Sequence, residues 1–181
     1  AYAFVGDAAG LVFLVGVVWA IVRRYVQRPY RIRIKSKVDH VLALGSLFLI
    51  AVSGFVAEMF RIALGAALGE DMSWERYSLI GYPLSKTLDD VGAGTLQDWH
   101  QAMWIVHVGS FIAFLVILPT TMLRHIFTSP LNMYLSDKDR PKGAMKPMPN
   151  LMETELETFG ASVVEDFTWK QLLDTDACTM C

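Results

Sequence analysis

The sequence predicts an all-α protein built as a bundle of transmembrane helices. Of its 181 residues, 54% are hydrophobic and 19% are charged, whereas a soluble domain carries about 25% charged residues. Three long stretches are free of charge, and the charged residues concentrate between them. The net charge of −2 provides no basic field, which argues against nucleic acid as a partner. Two cysteines, Cys178 and Cys181, argue against a disulfide framework.

The first span is predicted from residues 8–22, which are uncharged and are followed by Arg23 and Arg24. A start near Tyr2 gives about 20 residues, enough to cross a hydrocarbon core of about 30 Å. Asp7 near this start is tolerable if its side chain faces protein or the membrane interface. A buried helix of a soluble protein is the alternative for this segment taken alone.

The second and third spans are predicted from residues 41–57 and 101–123. The second extends to about Leu64 if Glu58 and Arg61 lie at the interface. The third is the strongest candidate for a membrane span, because it has 23 residues and no formal charge. Three such segments within about 125 residues favour a membrane protein.

The charges of the connecting segments predict the orientation of the bundle. Seven bases and one acid lie between the first and second spans, and residues 58–98 carry seven acids and three bases. By the positive-inside rule, the first loop and the C-terminal tail lie in the cytoplasm, and the acidic segment within residues 58–98 lies on the other side of the cell inner (plasma) membrane. The first residue would then lie outside. Because the sequence has no start Met and no signal peptide, we expect a fragment with helices missing upstream.

The tail after the third span has a different composition. We expect a domain boundary near residue 130, a linker over residues 131–165 that includes the Pro- and charge-rich stretch 137–150, and a new domain from residue 166. Thr168 is a predicted N-cap for a helix beginning at Trp169.

Three of the four histidines lie on or beside the third span. The seven-residue step from His100 to His107 returns to within about 20° of the same helix face. The 18-residue step from His107 to His125 is five full turns, so a continuous helix would carry both on one stripe, about 27 Å apart. Two imidazoles at different depths on one stripe are the pattern expected for ligands of two stacked haems.

Each histidine has another interpretation. His107 could be a hydrogen-bonded packing residue and His125 a hydrated interfacial one. His100 could anchor the outer interface or lie near a haem or a quinone. The position of His40 at the cytoplasmic start of the second span favours a hydrated helix-end residue. Its imidazole could also be the second ligand of the haem that His125 binds. Since a bis-imidazole haem needs a second ligand at matching depth, we expect the chain to hold half of a two-haem site.

Pro119 lies within the third span, between His107 and His125. It lacks a backbone N–H and leaves the carbonyl of Leu115 without its helical donor, so a bend is allowed here.

The segment from His107 to Leu131 resembles the last helix of the gamma subunit of respiratory nitrate reductase. It reads HVGSF, then LP, then RHIFTSPL. That family has the same 18-residue spacing with a proline between the histidines. The resemblance implies that His107 and His125 are axial ligands of two different b-type haems, and that an upstream helix supplies the opposing ligands.

The tail, EDFTWKQLLD followed by DACTMC, resembles the junction in membrane iron–sulfur proteins related to heterodisulfide reductase. These join a nitrate-reductase-gamma-like haem domain to a cytoplasmic ferredoxin-like domain, and some act as electron-transfer flavoprotein:menaquinone oxidoreductases. The resemblance implies that Cys178 and Cys181 are ligands of a 4Fe-4S cluster whose other cysteines lie further along. Two cysteines alone would also fit a zinc site or a redox dithiol.

The resemblance therefore implies a quinone-linked oxidoreductase subunit, passing electrons between cytoplasmic clusters and menaquinone through b-type haems. An electron-transfer flavoprotein or another cytoplasmic redox protein would be its partner. One alternative is a quinol-oxidising membrane subunit of a heterodisulfide- or sulfite-reduction complex. The other is a haem-free membrane anchor.

Overall fold

Every regular element in the described part of the chain is helical. The structure is a computed structural model that describes residues 2–30, 38–139, 150, 152 and 163–177. The α-helices are α1 (Tyr2–Ile21), α2 (Val38–Ala67), α3 (Gly81–Ser85), α4 (Ala93–Thr120), α5 (His125–Tyr134) and α6 (Trp169–Ala177). A π-helical turn, Val22–Gln27, extends α1, and short 3-10 turns cover Ser73–Tyr77, Lys86–Leu88, Met122–Arg124 and Val164–Asp166. The predicted all-α class is confirmed.

Three helices are long and apolar enough to cross a membrane, as predicted. They cover Tyr2–Gln27, Val38–Ala67 and Ala93–Thr120, with 26, 30 and 28 residues. At about 1.5 Å per residue each exceeds the roughly 30 Å of a hydrocarbon core. Large apolar side chains on their outward sides are exposed, among them Val12, Trp104 and Val116. The chain is a membrane protein whose outward faces are suited to lipid or to further apolar helices.

The chain divides into two compact units, Ala1–Thr121 and Met122–Cys181. In the first unit α2 is the central helix, and it packs against both α1 and α4. Its buried positions are dominated by small residues, including Ala43, Ala51, Ser53, Ala63 and Gly65. Small residues let helix backbones approach closely, which is how helices pack without a hydrophobic driving force between them.

The loop of residues 68–92, here called the acidic loop, connects α2 to α4. It begins with a turn at Gly69, whose φ of 77° favours glycine. The backbone N–H of Ser73 donates to the Asp71 carboxylate at 2.9 Å, and this hydrogen bond lowers the pKa of Asp71. The short helix α3 then begins at Gly81, against the side chain of Glu58 on α2.

The third span ends earlier than the uncharged stretch predicts. Pro119 cannot donate to the Leu115 carbonyl, the hydroxyl of Thr120 bonds to the carbonyls of Val116 and Ile117 at 3.2 and 3.1 Å, and Thr121 is extended (φ −115°, ψ −175°). The helix therefore stops at Thr120. The expectation that one regular helix carries both His107 and His125 on a single stripe is wrong, because this interruption separates α4 from α5.

The second unit contains α5 and α6. At the start of α6, the N–H of Thr168 donates to Oε1 of Gln171 at 2.8 Å, and the N–H of Gln171 donates back to Oγ1 of Thr168 at 3.3 Å. This reciprocal pair is a capping box and confirms Thr168 as the predicted N-cap.

Gly81→Ala should destabilise the first unit. A Cβ at residue 81 would lie 2.8 Å from both Cγ and Cδ of Glu58 and 2.9 Å from Oγ of Ser78, so the neighbours must shift. Overpacking of this kind costs about 1–3 kcal/mol. The midpoint of thermal unfolding in detergent should fall, whereas Gly94→Ala, where nothing lies within 4 Å, should not lower it. Equal midpoints for the two variants would contradict this packing.

Candidate functional site

His107 lies on the side of α4 that packs against α2. Its Nδ1 is 3.1 Å from Oγ of Ser53, which is 3% exposed. The ring lies over Gly54, where a Cβ would be 3.3 Å from Cε1 and 3.6 Å from Nδ1 of the imidazole. The glycine therefore lets the imidazole lie close to the α2 backbone. The other ring nitrogen, Nε2, has no hydrogen bond to any residue that the structure describes.

His125 is the first residue of α5. Its Nδ1 forms a short hydrogen bond with the backbone carbonyl of Met122, in the 3-10 turn that precedes α5. Because a carbonyl can only accept, Nδ1 carries the hydrogen and Nε2 carries the lone pair. The ring is half-buried.

His100 also faces α2, which confirms that it shares a face of the third span with His107. It lines a cavity of about 500 Å³ together with Leu64, Leu68, Gln97, Gln101 and Trp104. Beside it, the ring of Trp99 stacks on Phe60 with centroids 6.1 Å apart and planes 12° apart.

His40 lies in the first turn of α2 and is 6% exposed. The interpretation as a hydrated helix-end histidine is therefore wrong. The ring is turned into the protein, where its apolar surface is buried.

A second cavity, of about 440 Å³, lies between α1 and α2 and extends beneath the acidic loop. Its walls within the bundle are apolar, formed by residues such as Gly10, Phe13, Ile50, Gly54 and Phe55. Its end toward the acidic loop is charged, with Asp7, Glu58, Arg61 and Glu75. Gly54 borders both this cavity and the ring of His107, so the cavity wall and the imidazole are adjacent.

The charged end of this cavity is tightly organised. Asp7 is 4% exposed, and it accepts hydrogen bonds from Oγ of Ser78 at 2.7 Å and from the N–H of Ile80 at 2.8 Å. Its carboxyl group also interacts with that of Glu58. Of the two placements that the sequence leaves open for Asp7, protein or membrane interface, the structure shows the first. Two neighbouring carboxyl groups repel each other when both are ionised, so this pair is suited to sharing one proton.

Arg61 supplies the positive charge of this end. It forms an ion pair with Glu75, whose side chain is fully buried, and its guanidinium lies 5.6 Å from the centre of the Trp74 ring. Oε2 of Glu75 has no hydrogen-bond partner among the described residues. Sequence reasoning treated Glu58 and Arg61 only as interfacial charges and missed Glu75. The signal in the sequence was that the acidic residues Asp7, Glu58 and Glu75 all lie at the same end of the predicted bundle.

In the second unit, α6 is fixed to α5 by polar contacts. Arg124 pairs with Asp176 at 2.6 Å, and Nζ of Lys170 donates to Oδ1 of Asn132 at 2.6 Å. Oγ of Ser129 donates to the carbonyl of Ala177 at 3.0 Å. These contacts hold the C-terminal end of α6 one turn from His125.

Cys178 and Cys181 lie outside the described residues. Residues 2–30, 38–139 and 163–177 contain no group of three or more His, Cys, Asp or Glu side chains arranged to hold a metal ion. Each candidate iron ligand in this range is thus a single imidazole.

The first 140 residues carry the signature of a known family. Residues 1–140 match the model of the nitrate reductase gamma subunit. The chain belongs to the nitrate reductase gamma subunit family. This confirms the resemblance seen in the sequence, and the matched residues include both His107 and His125.

Two curated relatives of this family member are oxidoreductases by name. An EtfAB:quinone oxidoreductase of Syntrophomonas wolfei is 32% identical over 187 residues, covering 99% of this chain and 25% of that protein. A protein of Bacillus subtilis named "Probable iron-sulfur-binding oxidoreductase FadF" is 28% identical, covering 100% of this chain and 24% of that protein. The chain thus spans about a quarter of the length of these relatives. No solved structure matches it significantly.

The histidines of this gamma-family chain fit b-type haem, the group that the resemblance implies. An iron-ligating imidazole commonly binds through one ring nitrogen while the other donates a hydrogen bond that fixes the ring. Both His107 and His125 have Nδ1 engaged within the protein and no partner for Nε2 in the described part of the chain. In each histidine one ring nitrogen is thus held and the other has no described partner, as an axial ligand of haem iron requires.

Proposed function

We propose that the chain is the membrane haem-b domain of a quinone-linked electron-transfer oxidoreductase. In the intact protein, electrons would pass between cytoplasmic 4Fe-4S clusters and the menaquinone pool through two b-type haems. The domain would comprise residues 1–130, followed by a linker over 131–165 and the start of a ferredoxin-like domain at 166–181. An electron-transfer flavoprotein would be the soluble partner, as the name of the Syntrophomonas wolfei relative suggests.

One observation carries the haem part of this proposal. Both histidines that match the family pattern hold Nδ1 in a hydrogen bond and keep Nε2 available. A histidine that served only packing would gain by bonding both nitrogens, because an unpaired polar atom is costly in a membrane. Haem b supplies one-electron transfer when bound, and His107 and His125 would each hold one haem by an axial Nε2.

The contacts of α6 support the route toward the clusters. Cys178 follows Ala177 directly in the sequence, and the Ala177 carbonyl is bonded to Ser129 on α5. Asp176, paired with Arg124, immediately precedes Ala177, and Arg124 immediately precedes His125. These contacts hold the end of α6, which Cys178 follows in the sequence, against α5 and the turn before it, where Asp176 neutralises Arg124.

The cavity between α1 and α2 supports the quinone end of the route. A quinone headgroup needs an apolar slot and a few polar groups at one end, and both are present. Reduction of a quinone to a quinol takes up two electrons and two protons, and oxidation releases them. The Asp7–Glu58 pair would exchange protons at this end of the cavity, and Gly54 would bring the bound ring next to His107.

The charge distribution supports an orientation for this route. Arg23 and Arg24 follow α1, and the acidic loop lies at the opposite end of the bundle. In the bacterial plasma membrane the acidic loop and the charged end of the cavity would face outward, with the tail in the cytoplasm. Quinone protons would then exchange with the outer side.

His107→Ala and His125→Ala should each remove one haem from the intact protein. Each variant loses the axial ligand that we assign to one of the two haems. A pyridine haemochrome assay should fall from about two haems per chain to about one, and the reduced-minus-oxidised spectrum should lose a different component in each variant. His100→Ala should keep both haems. Full haem content in both ligand variants would overturn the assignment.

Glu58→Gln should slow electron exchange with quinol without loss of haem. The amide keeps the shape and a hydrogen bond to Asp7 but cannot accept a proton, and lost proton transfer costs about 10²-fold in rate. The rate of haem reduction by a menaquinol analogue measures this in membranes. Glu70→Gln, on the exposed start of the acidic loop, is the matched control. Equal rates in the two variants would place quinone elsewhere.

A further inference from the structure

We infer that Ser53 on the second span is a positioning residue that fixes His107 as an Nε2 ligand and sets the potential of its haem. This inference rests on the proposed function. It concerns a residue of α2 that has no ligand atom of its own for iron. Its contribution is the hydrogen bond at 3.1 Å to Nδ1 of His107.

The Ser53 hydroxyl has two partners, and iron ligation by Nε2 fixes the direction of both hydrogen bonds. Oγ of Ser53 donates to the carbonyl of Ile50 at 3.3 Å, three residues earlier in α2. A serine hydroxyl has one hydrogen to give and two lone pairs. If Nε2 binds iron, as proposed, the hydrogen of the neutral imidazole is on Nδ1, so Nδ1 donates to Oγ and the hydroxyl hydrogen is directed to Ile50. At 3% exposure Ser53 is shielded from water that could exchange with this partner.

The neighbouring residue fixes the ring sterically. Gly54 follows Ser53, and a Cβ there would lie 3.3 Å from Cε1 of His107. Contacts of this length force the neighbour to move by a few tenths of an ångström. Ser53 and Gly54 thus act together on α2. The Ser53 hydroxyl orients the imidazole of His107, and the absence of a side chain at Gly54 makes room for the ring.

The hydrogen bond also alters the electronic character of the ligand. An acceptor on Nδ1–H raises the basicity of the imidazole and strengthens its donation through Nε2. Stronger donation favours ferric over ferrous iron and lowers the midpoint potential. The equivalent acceptor for His125 is the Met122 carbonyl, which no side-chain substitution removes. A change at residue 53 should therefore affect only one of the two haems.

A serine whose hydroxyl bonds only to its own helix should not change the potential of a haem, and α2 contains such a serine. Oγ of Ser46 donates to the carbonyl of Ala43 at 2.9 Å, the same three-residue pattern as Ser53, and no histidine contact accompanies it in the described part of the chain. At Gly45, likewise, a Cβ would have no described atom within 4 Å. Ser46→Ala and Gly45→Ala are therefore matched controls for Ser53→Ala and Gly54→Ala.

The test is a potentiometric titration of the haems in the purified intact protein, with the haem count and the EPR spectrum of the ferric haems. Ser53→Ala should raise the midpoint potential of the haem that His107→Ala removes and leave the other unchanged. Gly54→Ala should shift the EPR signal of that same haem, because the ring must move. Ser46→Ala and Gly45→Ala should match the unsubstituted protein.

Each other outcome is decisive. Loss of the His107 haem in Ser53→Ala, with both haems kept in Ser46→Ala, supports the inference, because the ring is then no longer held. Unchanged potentials in Ser53→Ala, or equal effects of Ser53→Ala and Ser46→Ala, would overturn it. Absence of haem from the unsubstituted protein would instead overturn the proposed function, so the two failures are distinguishable.

Discussion

The constraint on which the structure depends is that a polar group inside a membrane needs a partner within the protein. Asp7 on α1 meets this need through the acidic loop, whose Ser78 hydroxyl and Ile80 N–H both donate to it. His107 on α4 meets it through Ser53 on α2. These polar contacts tie the first unit together at two depths. Apolar packing does little to determine which helix faces meet, because lipid is as apolar as the side chains that face it.

The same constraint separates structural polar groups from groups available for chemistry. Asp7 is satisfied on several sides, whereas Glu75 keeps one oxygen without a hydrogen bond and the two family histidines keep Nε2 without one in the described part of the chain. The available atoms lie beside the cavity or at the start of α5. In the proposed route these positions would serve proton exchange and haem binding, while docking of α6 near His125 would serve the clusters.

The sequence predicts the three spans well, because few helices of soluble proteins avoid charge over about 20 residues. It also predicts the N-cap at Thr168, and it leaves the surroundings of Asp7 open between protein and membrane interface. The sequence does not predict features that depend on local geometry. Pro119 and the extended Thr121 end α4 before His125, and an 18-residue spacing cannot reveal such a break. The burial of His40 and the contacts of His107 with Ser53 and Gly54 depend on which helices pack together. One sequence taken alone carries little of that information.

The most direct test of the account is an optical spectrum of the purified intact protein, dithionite-reduced minus oxidised, with a pyridine haemochrome count and with a menaquinol analogue as a second reductant. We expect a b-type α band, about two haems per chain, and reduction of the same band by the quinol. A flat spectrum from well-folded protein would contradict it and would leave a haem-free membrane anchor as the function of the bundle.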